Sequence, residues 1–191
     1  PLAGLFSGWV GLSIVLPVAY SILVPDYQGM LSVDYGWLTW LLVFACTYAV
    51  LARYQQRGWF TTWLNFMHPA LLWLLITLLT HELILQWVKR EWPFNAWFIA
   101  ALPLVSLAMI AWIARGKYWP NRDYRSILQR TVALPLAALM LVWFFMTMTL
   151  SGDISPMAWI PLINPLDVVT LLLGFTLFTL ADSINKRWLF N

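Results

Sequence analysis

Residues 69–88 read PALLWLLITLLTHELILQWV, twenty residues with a single formal charge, that of Glu82. A helix rises 1.5 Å per residue, so a segment of this length spans a hydrocarbon core of about 30 Å. Leu, Ile and Trp recur on every side of it rather than on one stripe, as a surface helix of a water-soluble domain would require. Nor do they alternate with polar residues, as the strands of a membrane barrel do. The stretch therefore reads as a membrane-spanning helix. Toward its end it carries three polar residues, His81, Glu82 and Gln86.

Five more stretches have the same character: residues 4–24, 36–54, 94–114, 131–150 and 167–184. The last is the weakest, because Asp182 and Ser183 interrupt its apolar run. Residues 55–67, with Trp59, Phe60, Trp63, Leu64 and Met67 at helical spacing, read as a short helix lying in the interface. The expectation is an all-α integral membrane helical bundle of about six transmembrane helices, forming one helical region over residues 1–191. Composition agrees: 62% of residues are hydrophobic and only 10% charged, too few to clothe a water-soluble surface.

Charge tests the parsing. Nine of the eleven Lys and Arg residues fall on one side: Arg53, Arg57, Arg115, Lys117, Arg122, Arg125, Arg130, Lys186 and Arg187. Only Lys89 and Arg90 fall on the other. The positive-inside rule then places both termini of this segment in the cytoplasm. Many of the fourteen Trp residues, Trp37, Trp87, Trp92, Trp97 and Trp119 among them, lie near span ends, where an indole ring sits at headgroup level. The net charge of +3 is too small to argue for nucleic acid. The basic cluster 115–130 reads either as a topology determinant or as a site of attraction for anionic lipid or a protein partner. The chain begins with Pro1 rather than Met, which suggests a piece of a longer polypeptide whose remaining spans, or other membrane subunits, would be its partners.

In lipid, helices associate through close packing and hydrogen bonds. Gly4, Ser7, Gly8 and Gly11 offer a flat face on the first span, and Ala45, Ala49 and Ala52 offer one on the second. Pro17, Pro103 and Pro135 lie inside spans and should kink them. Cys46, in an apolar run, reads as a small buried packing residue.

Glu82, with His81 and Gln86, is the leading candidate for chemistry, since an acid at membrane depth costs several kcal/mol and is a functional candidate by default. Its alternative role is an interhelical hydrogen-bonding contact. Thr176, Thr179 and Ser183 share a face of the last span and can bond back to their own helix. Asp153, Asn164 and Asp167 belong to an apolar, proline-rich external loop. There Asn164 can cap the last span, Pro165 takes its first position, and Asp167 faces the helix dipole. Asp26 and Asp34 are external acids with nothing nearby to complete a site. The residues show no zinc-ligand spacing, nucleotide loop or nucleophile motif, so no metal, cofactor or catalytic residue is expected.

The loop Gly152-Asp153 through Pro161-Leu162-Ile163-Asn164-Pro165-Leu166-Asp167 resembles a recurring feature of a bacterial polytopic membrane family, domain of unknown function 2339. Leu71-Leu72-Trp73 leading to Glu82, and Trp97 with Ala101-Leu102-Pro103-Leu104, are similar to the same family. The resemblance covers roughly residues 66–181. It implies a long protein with many spans in the bacterial inner membrane, and it supplies no mechanism. The expected function is that of a multi-pass inner-membrane protein acting in transport, envelope maintenance or assembly. The alternative is a membrane-embedded transferase acting on a lipid-linked or envelope substrate, with Asp26, Asp34 or Glu82 as acid or base.

Overall fold

A computed structural model describes residues 36–58, 61–149 and 164–188. It is built of helices α1 (Gly36–Gln56), α2 (Thr61–Lys89), α3 (Ala96–Ala101), α4 (Leu104–Arg115) and α5 (Asn121–Leu128), then a π turn (Gln129–Ala133), α6 (Leu134–Thr147) and α7 (Pro165–Trp188). Among the described residues there is no strand. Five helical segments are long and apolar enough to cross a membrane: Gly36–Gln56, Thr62–Lys89, Ala96–Arg115, Asn121–Thr147 and Pro165–Asn185. They correspond to the second through sixth expected spans, including the weak last one. The first expected span lies outside the described residues, as do Gly4, Ser7, Gly8, Gly11, Pro17, Asp26, Asp34 and Asp153.

Helix α4 is central. It packs along α7 and touches α2, α6 and the π turn, while α1 meets chiefly α2 at the edge. The main core joins Leu64, Leu71, Leu72 and Ile76 of α2 to Ile110 and Ile113 of α4 and to Leu128, Val132 and Leu136 beyond. A second cluster seats Leu166, Val169 and Leu173 of α7 against Ala96 and Ala100 of α3. The small Ala side chains let α7 approach closely, which is how membrane helices gain dispersion energy without a hydrophobic drive.

Proline shapes two spans. Pro103, fully buried, separates α3 from α4 within one span. Pro135 acts through the turn before it. Its ring would meet the carbonyl of Thr131, four residues back, and it has no N–H to offer that carbonyl. The chain widens into the π turn, closed by Leu134 N–H donating to Gln129 O, and the indole of Trp73 donates to Thr131 O at 3.0 Å. A carbonyl released inside lipid is thus satisfied by a neighbouring helix.

Three boundaries differ from the sequence reading. The separate interfacial helix at 55–67 is not formed: α1 runs to Gln56, Gly58 turns with φ +65°, and residues 61–67 are the first turns of α2. Pro69 lies inside that helix and leaves open only the carbonyl of exposed Asn65, so it does not start the span. The fifth span begins ten residues earlier than expected, at Asn121 rather than residue 131. Asn121, Tyr124 and Leu128 bury one face of α5 while Arg122 and Ser126 face outward; a search for uniformly apolar runs passes over such an amphipathic turn. Finally, Cys46 is exposed, and Ala45 and Ala49 are exposed with it. Among the described residues α1 buries Trp40, Thr47 and Leu51, with Trp40 against Leu78 of α2.

Candidate functional site

Glu82 sits two turns before the end of α2 and is 8% exposed. Gln86, one turn on, donates Nε2–H to its Oε1 at 2.8 Å. The i, i+4 spacing brings the two side chains together on one helix face. His81, adjacent in sequence, points to another side and is half-buried. Asn164 is 3% exposed, and its Oδ1 accepts from Leu166 N–H at 3.0 Å. Its carbonyl accepts from Val168 N–H at 3.1 Å. These are the bonds of a helix cap, with Pro165 at the first position and half-buried Asp167 in the first turn against the positive end of the dipole. The candidates therefore form two local groups, Glu82 with Gln86 on α2 and Asn164 with Asp167 at the head of α7.

Two further polar groups are buried at the Arg-rich end; of their members the sequence reading singled out only Ser183, as a hydroxyl bonding back to its helix, and Trp119, as a span-end ring. Gln129, 4% exposed in the π turn, donates Nε2–H to Ser183 Oγ of α7 at 2.8 Å. Ser183 in turn donates to Leu180 O at 3.0 Å. Thr179 bonds back to Thr176 O at 2.8 Å, so these hydroxyls engage their own helix as expected. Only Ser183 also reaches across.

The second group is aromatic. His68 of α2 is fully buried among Tyr48 of α1 (ring centroids 6.0 Å apart), Trp119 of the α4–α5 connection (5.7 Å, edge-on) and Tyr124 of α5 (4.1 Å). Among the described residues neither ring nitrogen of His68 has a hydrogen-bond partner. Trp119 donates Nε1–H to Gln55 Oε1 at 2.7 Å, and Gln55 donates Nε2–H to Asp123 Oδ2 at 2.9 Å. Asp123 also pairs with exposed Arg122 at 3.0 Å. One indole thus ties α1, α2 and α5 together. A signal for this was available, because His68 is an isolated imidazole in an apolar run. What the sequence could not supply was the convergence of α1, the α4–α5 connection and the start of α5 on it.

The connection itself is folded rather than loose. Gly116 closes α4 with φ +57°, and the Arg125 side chain crosses it so closely that a Cβ there would lie 2.8 Å from Arg125 Cδ and Nε. The Arg125 guanidinium donates to the carbonyl of Ala114, and Asn121 Nδ2–H donates to that of Trp112. Both satisfy carbonyls at the negative end of the α4 dipole. Arg115, Lys117 and Tyr118 remain exposed. Among the described residues no three His, Cys, Asp or Glu side chains converge to hold a metal ion.

A family model described as "Predicted membrane protein (DUF2339)" matches residues 2–189 of the chain. No curated protein and no solved structure matches it.

Proposed function

The chain belongs to the predicted membrane protein family DUF2339, and we propose that it serves as a non-catalytic, multi-pass module of the bacterial inner membrane in envelope maintenance or assembly. The observation that carries this reading is the Glu82–Gln86 bond at 2.8 Å, which engages the leading candidate acid within its own helix. The same use recurs in Gln129 with Ser183 and in the Asn164 cap. In this reading polar groups at membrane depth stabilise the bundle rather than line a route through it. The Arg-rich end faces the cytoplasm by the positive-inside rule, and its segment 115–130 meets anionic lipid there. Further spans of a longer chain or other membrane subunits are the partners. They would meet exposed apolar faces such as Leu41 and Leu42 of α1 or Phe145 and Met146 of α6.

Burial of the Glu82 carboxylate also suits the second reading, a transferase in which it acts as acid or base. A double-mutant cycle on protein in lipid nanodiscs separates the two. Glu82→Leu and Gln86→Leu each lower thermal stability, and together they cost less than their sum, by about 1 kcal/mol. A structural role also leaves Glu82→Gln functional, since an amide oxygen still accepts from Gln86. Were Glu82→Gln to keep full stability yet abolish the phenotype supported by the intact protein, the transferase reading would replace this one.

A further inference from the structure

Where α4 and the Gly116 turn meet α7, a cleft of ≈ 260 Å³ opens at the Arg-rich end. Its composition is graded. At one end stand Arg115 of α4, Arg125 of α5 and Asp182 of α7; toward the other, Ala111 of α4 faces Phe175 of α7. Phe175 and Asp182 are seven residues apart on one helix, hence about 10 Å along its axis. Phe175 is 64% exposed and Ala111 is too small to fill the space beside it, so the apolar end is an open groove. The polar end is built: Arg125 is held across Gly116 and bonded to Ala114 O, and buried Ser183 is fixed by Gln129.

We propose that this cleft binds a single anionic phospholipid of the phosphatidylglycerol type, its phosphate at Arg115 and Arg125 and an acyl chain along Ala111 and Phe175. The inference rests on the reading that the Arg-rich end faces the anionic cytoplasmic leaflet, and deepens it by naming the site. Three features of the ligand match. Two guanidiniums suit the phosphate diester, since their planar donor forks pair with phosphate oxygens. The Asp182 carboxylate accepts from the glycerol hydroxyls of the headgroup. The step from charge to apolar surface over about one to two helical turns follows the step from headgroup to acyl chain in a leaflet, with the charged end at the membrane surface.

The test is native mass spectrometry of the full chain released from nanodiscs of phosphatidylglycerol, phosphatidylethanolamine or phosphatidylcholine. The expected result is one retained phosphatidylglycerol, with Arg115→Gln lowering its relative affinity about five-fold, the worth of one basic side chain near the surface. Ala111→Leu, which fills the groove without touching a charge, lowers retention without lowering thermal stability. Asp182→Asn raises it, because repulsion of the phosphate is removed while an acceptor for the hydroxyls stays. If Asp182→Asn instead weakens binding and phosphatidylethanolamine is the lipid retained, the ligand is zwitterionic and the proposal fails. If Arg53→Gln with Arg57→Gln matches the loss from Arg115→Gln, attraction is spread over the basic face; the cleft is then refuted and the cytoplasmic reading kept. No preference for phosphatidylglycerol in the unsubstituted protein overturns both.

Discussion

Aromatic rings gather at both ends of the bundle, under opposite conditions. At the end with Lys89 and Arg90, Trp87 stands edge-on to Trp92 at 4.9 Å and Phe94 edge-on to Phe98 at 4.9 Å. Trp92 and Phe94 are exposed there, and Arg90 lies 4.9 Å over the Trp92 ring. The Trp87 indole bonds only locally, to Pro93 O at 3.0 Å. This is the amphipathic belt expected of rings at headgroup level. At the Arg-rich end His68, Tyr48, Trp119 and Tyr124 turn inward and join segments far apart in sequence. A ring in the belt anchors a span in the bilayer. A ring in the junction holds spans to one another, so the two should respond differently to truncation.

The largest expected effect is at the junction. Trp119→Ala removes the rings' shared packing and the bond to Gln55 of a half-buried indole, and should destabilise the purified protein by about 2–3 kcal/mol. Trp92→Ala at the belt should cost less than about 1 kcal/mol, since its ring is already exposed. Thermal melts in one lipid mixture compare the two, and equal losses would erase the distinction. Next comes the proline device. Trp73→Phe leaves the Thr131 carbonyl without its donor and should cost about 1–2 kcal/mol. In a Pro135→Ala background the restored N–H can serve that carbonyl, so the same substitution should cost less; an unchanged cost would show that Trp73 is only packing.

Burial alone would rank His68 above Trp119. Its two nitrogens, without a partner among the described residues, reverse the order: His68→Leu, close in volume, should cost less than about 1.5 kcal/mol. A larger loss than Trp119→Ala would mean that the imidazole is bonded in the membrane. The smallest effect belongs to Arg122→Ala at an exposed ion pair, below about 0.5 kcal/mol and invisible at high salt.

What the sequence made legible follows from which forces are local. Apolar length located the spans at 36–54 and 94–114, and even the weak 167–184, because lipid imposes its requirement on each helix separately. The Asn164-Pro165 cap was legible for the same reason, as its bonds reach only two and four residues ahead. The start of α5 was hidden by its mixed polarity. The small-residue face of Ala45 and Ala49 is exposed among the described residues, since small size permits close approach without choosing the helix that approaches. Junction residues were hidden most completely: Tyr48, His68, Trp119 and Tyr124 carry no mutual spacing signal, and only tertiary packing brings them together.

The proposed sidedness turns the Trp87–Phe98 rings outward and sets the His68 junction at the cytoplasmic end, beside the proposed lipid cleft. The chain has a single cysteine, Cys46, so a Cys46→Ser background permits single-site labelling. Phe94→Cys and Tyr118→Cys, at residues 66% and 74% exposed on opposite ends, are then treated with a membrane-impermeant maleimide. In intact spheroplasts Phe94→Cys should label and Tyr118→Cys should label only after lysis. Labelling of Tyr118→Cys from outside, with Phe94→Cys protected, would contradict the account.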